Sequence, residues 1–353
     1  MSGNRIKLND LKGFCVAALE KSGMKPEHAI ITADALSETD AYGTHSHGTK
    51  NLHGYIKKAR AGGLDISAEP TVVKDGPAFA VVNANNCFGM VSSVYSMKCA
   101  CDKARNAGIG IVTVKNSCHF GAAGYYANIA AKNGMIGIAL SNVDPNMNAP
   151  GAREKAIGNN PIAYACPSES FPSVFLDIAL SNVASLKVFQ ARAEGRKVPD
   201  TWIVDKDGLP TDNPANYPDE GAMQPVGGHK GYGLAVMVDV LTGVLSGGAT
   251  SMSGLIGSWV LDLGSTNNAC HTFIAINPKM FCDESDLKER VEAMASSLRG
   301  LPKAKGSERI YLPGEMEWER YANAETNGIS LPDDLLSSLI GLAEDVDITL
   351  PLF

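Results

Sequence analysis

No stretch of this chain approaches the roughly 18 apolar residues of a membrane span, and the opening MSGNRIKLNDLKGF has no apolar run of signal-peptide length. A cytoplasmic protein that does not engage membranes is the expectation. Basic charge is also short: 31 Lys and Arg against 38 Asp and Glu leave a formal charge of −7, and no Lys/Arg stripe is present to grip nucleic acid. The cysteines (Cys15, Cys87, Cys99, Cys101, Cys118, Cys166, Cys270 and Cys282) never take the paired CxxC spacing of a zinc site, so reduced core thiols are expected. HExxH is missing, and neither a repeat period nor a low-complexity tract occurs. The Walker pattern GxxxxGK[ST] is missing as well, and no apolar strand leads into a GxGxxG turn, which removes both common phosphate-binding fingerprints.

What remains has ordinary soluble composition, 44% hydrophobic and 20% charged, in 353 residues, a length that implies two or three lobes. Leu11, Phe14, Cys15, Ala18 and Leu19 recur at helical spacing after a capping Asn9 or Asp10. A second helix starts at Pro26 and stops near Gly43, and a third begins around Gly48 or Thr49 and ends at AGG. From residue 77 short apolar strands alternate with helices over 90–106 and 122–133. The strands are PAFAVVNA, IGIVTVKNS, MIGIALSN, NPIAYACP, SVFLDIA and TFIAINP, and the alternation predicts a parallel sheet. Residues 199–230 read as a long loop before a helix from Tyr232 to Leu245. The tail reads as two helices flanking RIYLPGEMEWERYAN, part strand and part loop.

Three stretches carry chemistry. THSHGTKNLHGY at 44–55 holds His45, His47 and His53. The HxH pair fits a metal site, an acid/base beside an orienting Ser46, or a polar capping loop. His119, in NSCHFGAAGYY, follows a strand and precedes a helix, the edge at which open α/β sheets place ligands. GGHKGYGLA at 227–235 sets Gly227, Gly228, His229 and Lys230 before a helix, a phosphate cradle or a tight turn.

SHGTKNLHGY, NSCHFGAAGYY, GNNPIAYACP, LDIALSNVASLK, GGHKGYGLA and LPGEMEWER, in this order from about residue 7 to 347, resemble the malate/L-lactate dehydrogenase family. The resemblance implies an α/β, sulfolactate-dehydrogenase-like, non-Rossmann cofactor-binding fold. It also implies NAD or NADP (NADH or NADPH) as cofactor, a small-molecule 2-hydroxy, 2-oxo or imino substrate, and a homodimer or higher homo-oligomer. Its divisions fall at residues 1–70 (helical, carrying the SHG motif), 71–283 (α/β cofactor core) and 284–353 (helical, packing on the N-terminal part). It makes His47 the acid/base with Ser46 relaying to it, and His119 a second catalytic histidine. Substrate contacts fall on Lys50, Asn51, Tyr55 and Asn159. Cofactor contacts fall on Phe120, Gly121, Ala122, Ala123, Gly124, Ser141, Asp177, Ile178, Ala179, Lys187, His229, Lys230, Gly314, Glu315 and Arg320, and no metal is implied. Two departures from the family pattern bear on substrate: Asn51 stands where an arginine grips a carboxylate, and Asn159 where threonine is usual. Leu186, in place of a glycine before Lys187, bears on the adenosine end. The competing readings are a metal-dependent hydrolase using His45 and His47, and a relative that binds cofactor without turnover.

Overall fold

The computed structural model describes residues 4–352. After strand β1 (Arg5–Ile6) come three helices, α1 (Leu8–Lys21), α2 (Pro26–Ala41) and α3 (Leu52–Arg60). Helix α1 starts before the expected cap. Lys7 occupies the cap position, and Asn9 and Asp10 lie inside the first turn, where Asp10 faces the positive end of the helix dipole. Pro26 opens α2 as its fixed φ favours. At the other end of α2 the polar residues Ser37, Glu38, Thr39 and Asp40 are all buried, which is costly unless they are paired and so marks a built site.

The centre of the molecule alternates as expected: β2 (Thr71–Asp75), β3 (Phe79–Asn83), α4 (Gly89–Ala107), β4 (Ile109–Ser117), α5 (Ala123–Lys132) and β5 (Ile136–Ser141). Short strands β6 (Met147–Asn148) and β7 (Lys155–Ile157) precede β8 (Ile162–Pro167), β9 (Ser173–Ile178) and α6 (Ser185–Ala193). The stretch 199–230 is more than loop: β10 (Ile203–Val204), β11 (Pro210–Thr211) and β12 (Ala222–Met223) join β6 and β7 in a small second sheet. Helix α7 (His229–Asp239) begins three residues earlier than expected and continues as a π-helical turn over Val240–Val244. β13 (Ala269–Ile276) and α8 (Glu284–Arg299) follow. The next segment is then helical where strand and loop were expected: Gly314, in a left-handed conformation, starts α9 (Glu315–Asn327), whose first turn carries Glu315 and Glu317. β14 (Ile329–Ser330) and α10 (Asp333–Val346) end the fold.

The expectation of a parallel sheet is corrected. The main sheet runs β2-β3-β4-β13-β5-β8-β9, and only β3 and β4 are parallel neighbours. Strands β4 and β5 do point the same way, but β13 fills the space between them and runs antiparallel to both, with Ile274 opposite Ile111 and Ile138. A strand that arrives from about 130 residues downstream thus converts a βαβ unit into a mixed sheet. Helices α4 and α5 cover β4 and β5, and one core extends from Ile6 to Val346, so the terminal helices share it with the sheet. A second core under the small sheet gathers Leu140, Met147, Ile157, Leu180, Val188 and Met223. Among the described residues no helix is long and apolar enough to cross a membrane.

Candidate active site

The histidine stretch does not begin a regular helix at Gly48. It forms two 3-10 turns, His45–His47 and Thr49–Asn51, folded around one buried carboxylate. Asp40, fully buried at the end of α2, accepts from the Thr49 backbone N–H at 2.9 Å, the Thr49 hydroxyl at 2.5 Å and His45 Nδ1 at 2.9 Å. A Cβ at position 48 would lie 2.1 Å from Asp40 Oδ1, so the turn closes only on glycine. Asn51 Nδ2 donates to the Ser46 carbonyl at 2.9 Å and braces the turn from its far side. His47 thereby projects from a fixed backbone, with Ser46 Oγ 2.9 Å from its Nδ1.

His119 sits past the end of β4 and faces this turn, its ring centroid 5.5 Å from that of His47. Tyr55 on α3 reaches His119 Nδ1 with its hydroxyl at 2.5 Å. Trp259 stacks on the His119 ring, 4.5 Å away and inclined by 11°. The Trp259 loop is held by Lys58, whose buried ammonium donates to the carbonyls of Asp262 and Ser265 at 2.6 Å each. Burial lowers the pKa of His47 from 6.5. It holds His119 well below that value, helped by His47 and His271. Two neutral imidazoles therefore face each other at pH 7, each with an Nε2 that bonds no described residue, a pairing suited to moving one proton and holding one oxygen.

Behind His119, Phe120 stacks on His271 at 4.5 Å. His271 is buried in β13 and bonds Ser141 Oγ at 2.9 Å and the Cys118 carbonyl at 3.2 Å. Burial takes its pKa to about 3. The Gly124 N–H donates to Asp177 at 2.7 Å, while burial pushes that carboxyl up to about 6. The Leu180 N–H bonds the Asn159 carbonyl at 2.8 Å and the Val226 N–H bonds the Leu180 carbonyl at 2.9 Å. These links align Asn159, the Asp177–Ala179 strand end and the loop leading to His229 and Lys230 along one edge. Gly227 and Gly228 there adopt positive φ of 61° and 62°, and His229 and Lys230 stand exposed at the start of α7.

Chain length and topology could still belong to several enzyme families, and the comparisons decide among them. The family model described as malate/L-lactate dehydrogenase matches residues 6–340. The chain belongs to the malate/L-lactate dehydrogenase family. A malate dehydrogenase of Pyrococcus abyssi is 36% identical over 98% of this chain and 95% of its own length. The NAD(+) ureidoglycolate dehydrogenase of Escherichia coli is 33% identical over 91% and 90%. The solved structure of Methanocaldococcus jannaschii sulfolactate dehydrogenase superposes with a TM-score of 0.90 at 32% identity, covering 98% of each chain. The protein is thus an oxidoreductase with the mixed α/β fold of this family.

Family membership leaves the hydrolase reading without support. His45 is tied to Asp40, and no group of three or more His, Cys, Asp or Glu among the described residues could hold a metal. Several motif residues have side chains engaged elsewhere. Lys50 pairs with Asp334 on α10 at 2.5 Å, Glu315 accepts from the Leu312 N–H and from Arg299, and Arg320 pairs with Glu317 at 3.4 Å. Lys187 lies on the first turns of α6. His53 turns to Asp345 at 3.1 Å. Reading motifs alone missed Asp40, Lys58, Trp259 and His271. A polar run inside an amphipathic helix was the available signal for Asp40, whereas the other three have partners 130 to 207 residues away and no local mark.

Proposed function

We propose that this enzyme oxidises a small 2-hydroxy compound, and in reverse reduces the matching 2-oxo or cyclic imino compound, with NAD or NADP. The observation that carries the reading is the facing pair His47 and His119, held by Ser46 and Tyr55 beside a glycine-rich helix start. When bound, the nicotinamide supplies or takes the hydride, and the protein has to orient the carbon and manage one proton. The residues fit such a cofactor. A Cβ at Gly228 would meet nothing within 4 Å, so phosphate oxygens have an open approach to the head of α7 beside Lys230. Asn146 Oδ1, buried without a partner although its Nδ2 donates to Asn159 at 3.2 Å, is an acceptor suited to an amide N–H donor. Lys230→Ala is expected to weaken cofactor binding about tenfold, less at high salt. An unchanged dissociation constant by titration of bound-cofactor fluorescence would return the loop to a plain turn.

The substrate reading rests on Asn51. One N–H of its Nδ2 is used on the Ser46 carbonyl, which leaves the second N–H and Oδ1, a donor and an acceptor with no charge, where the family pattern has arginine. A carboxylate loses the charged, bidentate grip of arginine there, while an amide or a hydroxyl, with a donor and an acceptor of its own, is matched. Asn159 offers its own Nδ2, unpartnered among the described residues, as a complementary donor. The test is a screen of 2-hydroxy acids, 2-oxo acids and cyclic imino acids with both cofactors, read at the nicotinamide absorbance band. No turnover in either direction with any of them would overturn the reading. Asn51→Arg is expected to raise kcat/KM on pyruvate and oxaloacetate by about tenfold or more and to lower it on the best native substrate. A wild type already efficient on those two acids, and not improved by arginine, would defeat the substrate argument.

A further inference from the structure

His119 is held on three sides. Trp259 stacks on its ring at 11°, His47 stands 5.5 Å away, and the Tyr55 hydroxyl meets its Nδ1. Tyr55 is buried, and His119 Nδ1 is the single hydrogen-bond partner of its hydroxyl among the described residues. A buried phenol O–H must find an acceptor, or it forfeits about 1–3 kcal/mol. A neutral imidazole has one N–H and one bare nitrogen. If Nδ1 carried the hydrogen, it would donate to the phenol oxygen and leave the phenol proton stranded. With Nδ1 bare, both rings are satisfied and the hydrogen sits on Nε2. A ring flip would keep the stack on Trp259 but put a carbon against the hydroxyl and strand its proton, so the Tyr55 bond itself selects the orientation with Nδ1 toward the phenol.

We propose that Tyr55 is a positioning residue that locks His119 in its Nε2–H tautomer, so that His119 donates a hydrogen bond to the substrate oxygen and His47 alone exchanges the proton. His47 is built for that. Its Nδ1 partner, Ser46, is only partly buried, and its hydroxyl can rotate to donate or to accept. During oxidation the substrate O–H bond breaks and its proton passes to His47 Nε2, whose Nδ1–H is donated to Ser46 Oγ. The hydrogen on carbon would leave as hydride, which a bound nicotinamide would accept. His119 neither gains nor loses a proton throughout, and its N–H steadies the oxygen as charge develops on it. This division of labour rests on the proposed dehydrogenase reading, whereas the tautomer stands without it.

The tautomer is read directly in the cofactor-free, full-length protein carrying 15N-labelled histidine, by long-range 1H–15N correlation at neutral pH. Loss of signals in His119→Gln identifies the ring. The expected spectrum has a pyrrole-type Nε2 and a pyridine-type Nδ1. In Tyr55→Phe the Nδ1 and Nε2 shifts should move toward a mixture of tautomers, with kcat down about tenfold or more, KM little changed and the midpoint of the pH profile kept. An Nδ1–H tautomer in the wild type, or an unaltered tautomer in Tyr55→Phe, overturns the proposal. The wild-type spectrum decides even if the variant does not fold. An Nδ1–H spectrum in an enzyme active in the screen defeats this inference alone, and an inactive enzyme with the Nε2–H spectrum defeats the functional reading alone.

Discussion

His47→Ala is expected to lower turnover by roughly 10²- to 10⁴-fold while leaving cofactor affinity nearly intact, the loss typical of removing a general acid/base. His47 touches Ser46 and faces His119, and no part of the 226–230 loop bonds it, so its loss should fall on kcat rather than on cofactor binding. The pH dependence has a definite sign. Burial places the pKa of His47 below 6.5, so the neutral, proton-accepting form prevails at pH 7. Oxidation should hold its rate as pH falls toward that lowered value and decline below it. Reduction, which needs the imidazolium as donor, should decline as pH rises through the same value. Steady-state rates and cofactor titration on the variant are the measurement. Near-normal turnover would exclude His47 from the chemistry.

Asp40→Ala should be the most damaging substitution away from the reacting atoms. It removes the acceptor for the Thr49 N–H, the Thr49 hydroxyl and His45, all three on the turn that presents His47. Leaving the buried donors unpaired costs about 1–3 kcal/mol for each group, moderated by any water that enters the new space. A loss of about 2–4 kcal/mol in stability is expected, together with a drop in turnover, because the turn no longer holds His47 to within a fraction of an ångström of its place opposite His119. Asp40→Asn keeps one acceptor oxygen and should recover part of both. Chemical denaturation, thermal unfolding and kcat on the two variants test this. Wild-type stability and turnover in Asp40→Ala would show that the turn holds itself.

By itself the amino-acid sequence determined the parts of this protein whose physics is local. Pro26 and the buried stripe of α1 announce helices, the nine residues IGIVTVKNS form β4 residue for residue, and the ordered motifs point to the family, with His47, His119 and Lys230 as candidate site residues. These signals survive in one dimension because helix and strand burial repeat every few residues, and because a reacting side chain must be of a particular chemical type. Only the tertiary structure decided who meets whom. Periodicity reports that a strand is buried and says nothing about its neighbour, so the sheet was expected to be parallel until β13 was seen to separate β4 from β5. The same insertion brings His271 to Ser141 and Cys118, and the packing of a distant loop brings Trp259 to His119 under the grip of Lys58. The motif puts Lys50 among the substrate contacts, and only the packing of α10 shows that its ammonium pairs with Asp334. Such pairings are set by how whole elements stack to bury their apolar faces, and that balance depends on every residue of the core rather than on the few that carry the chemistry.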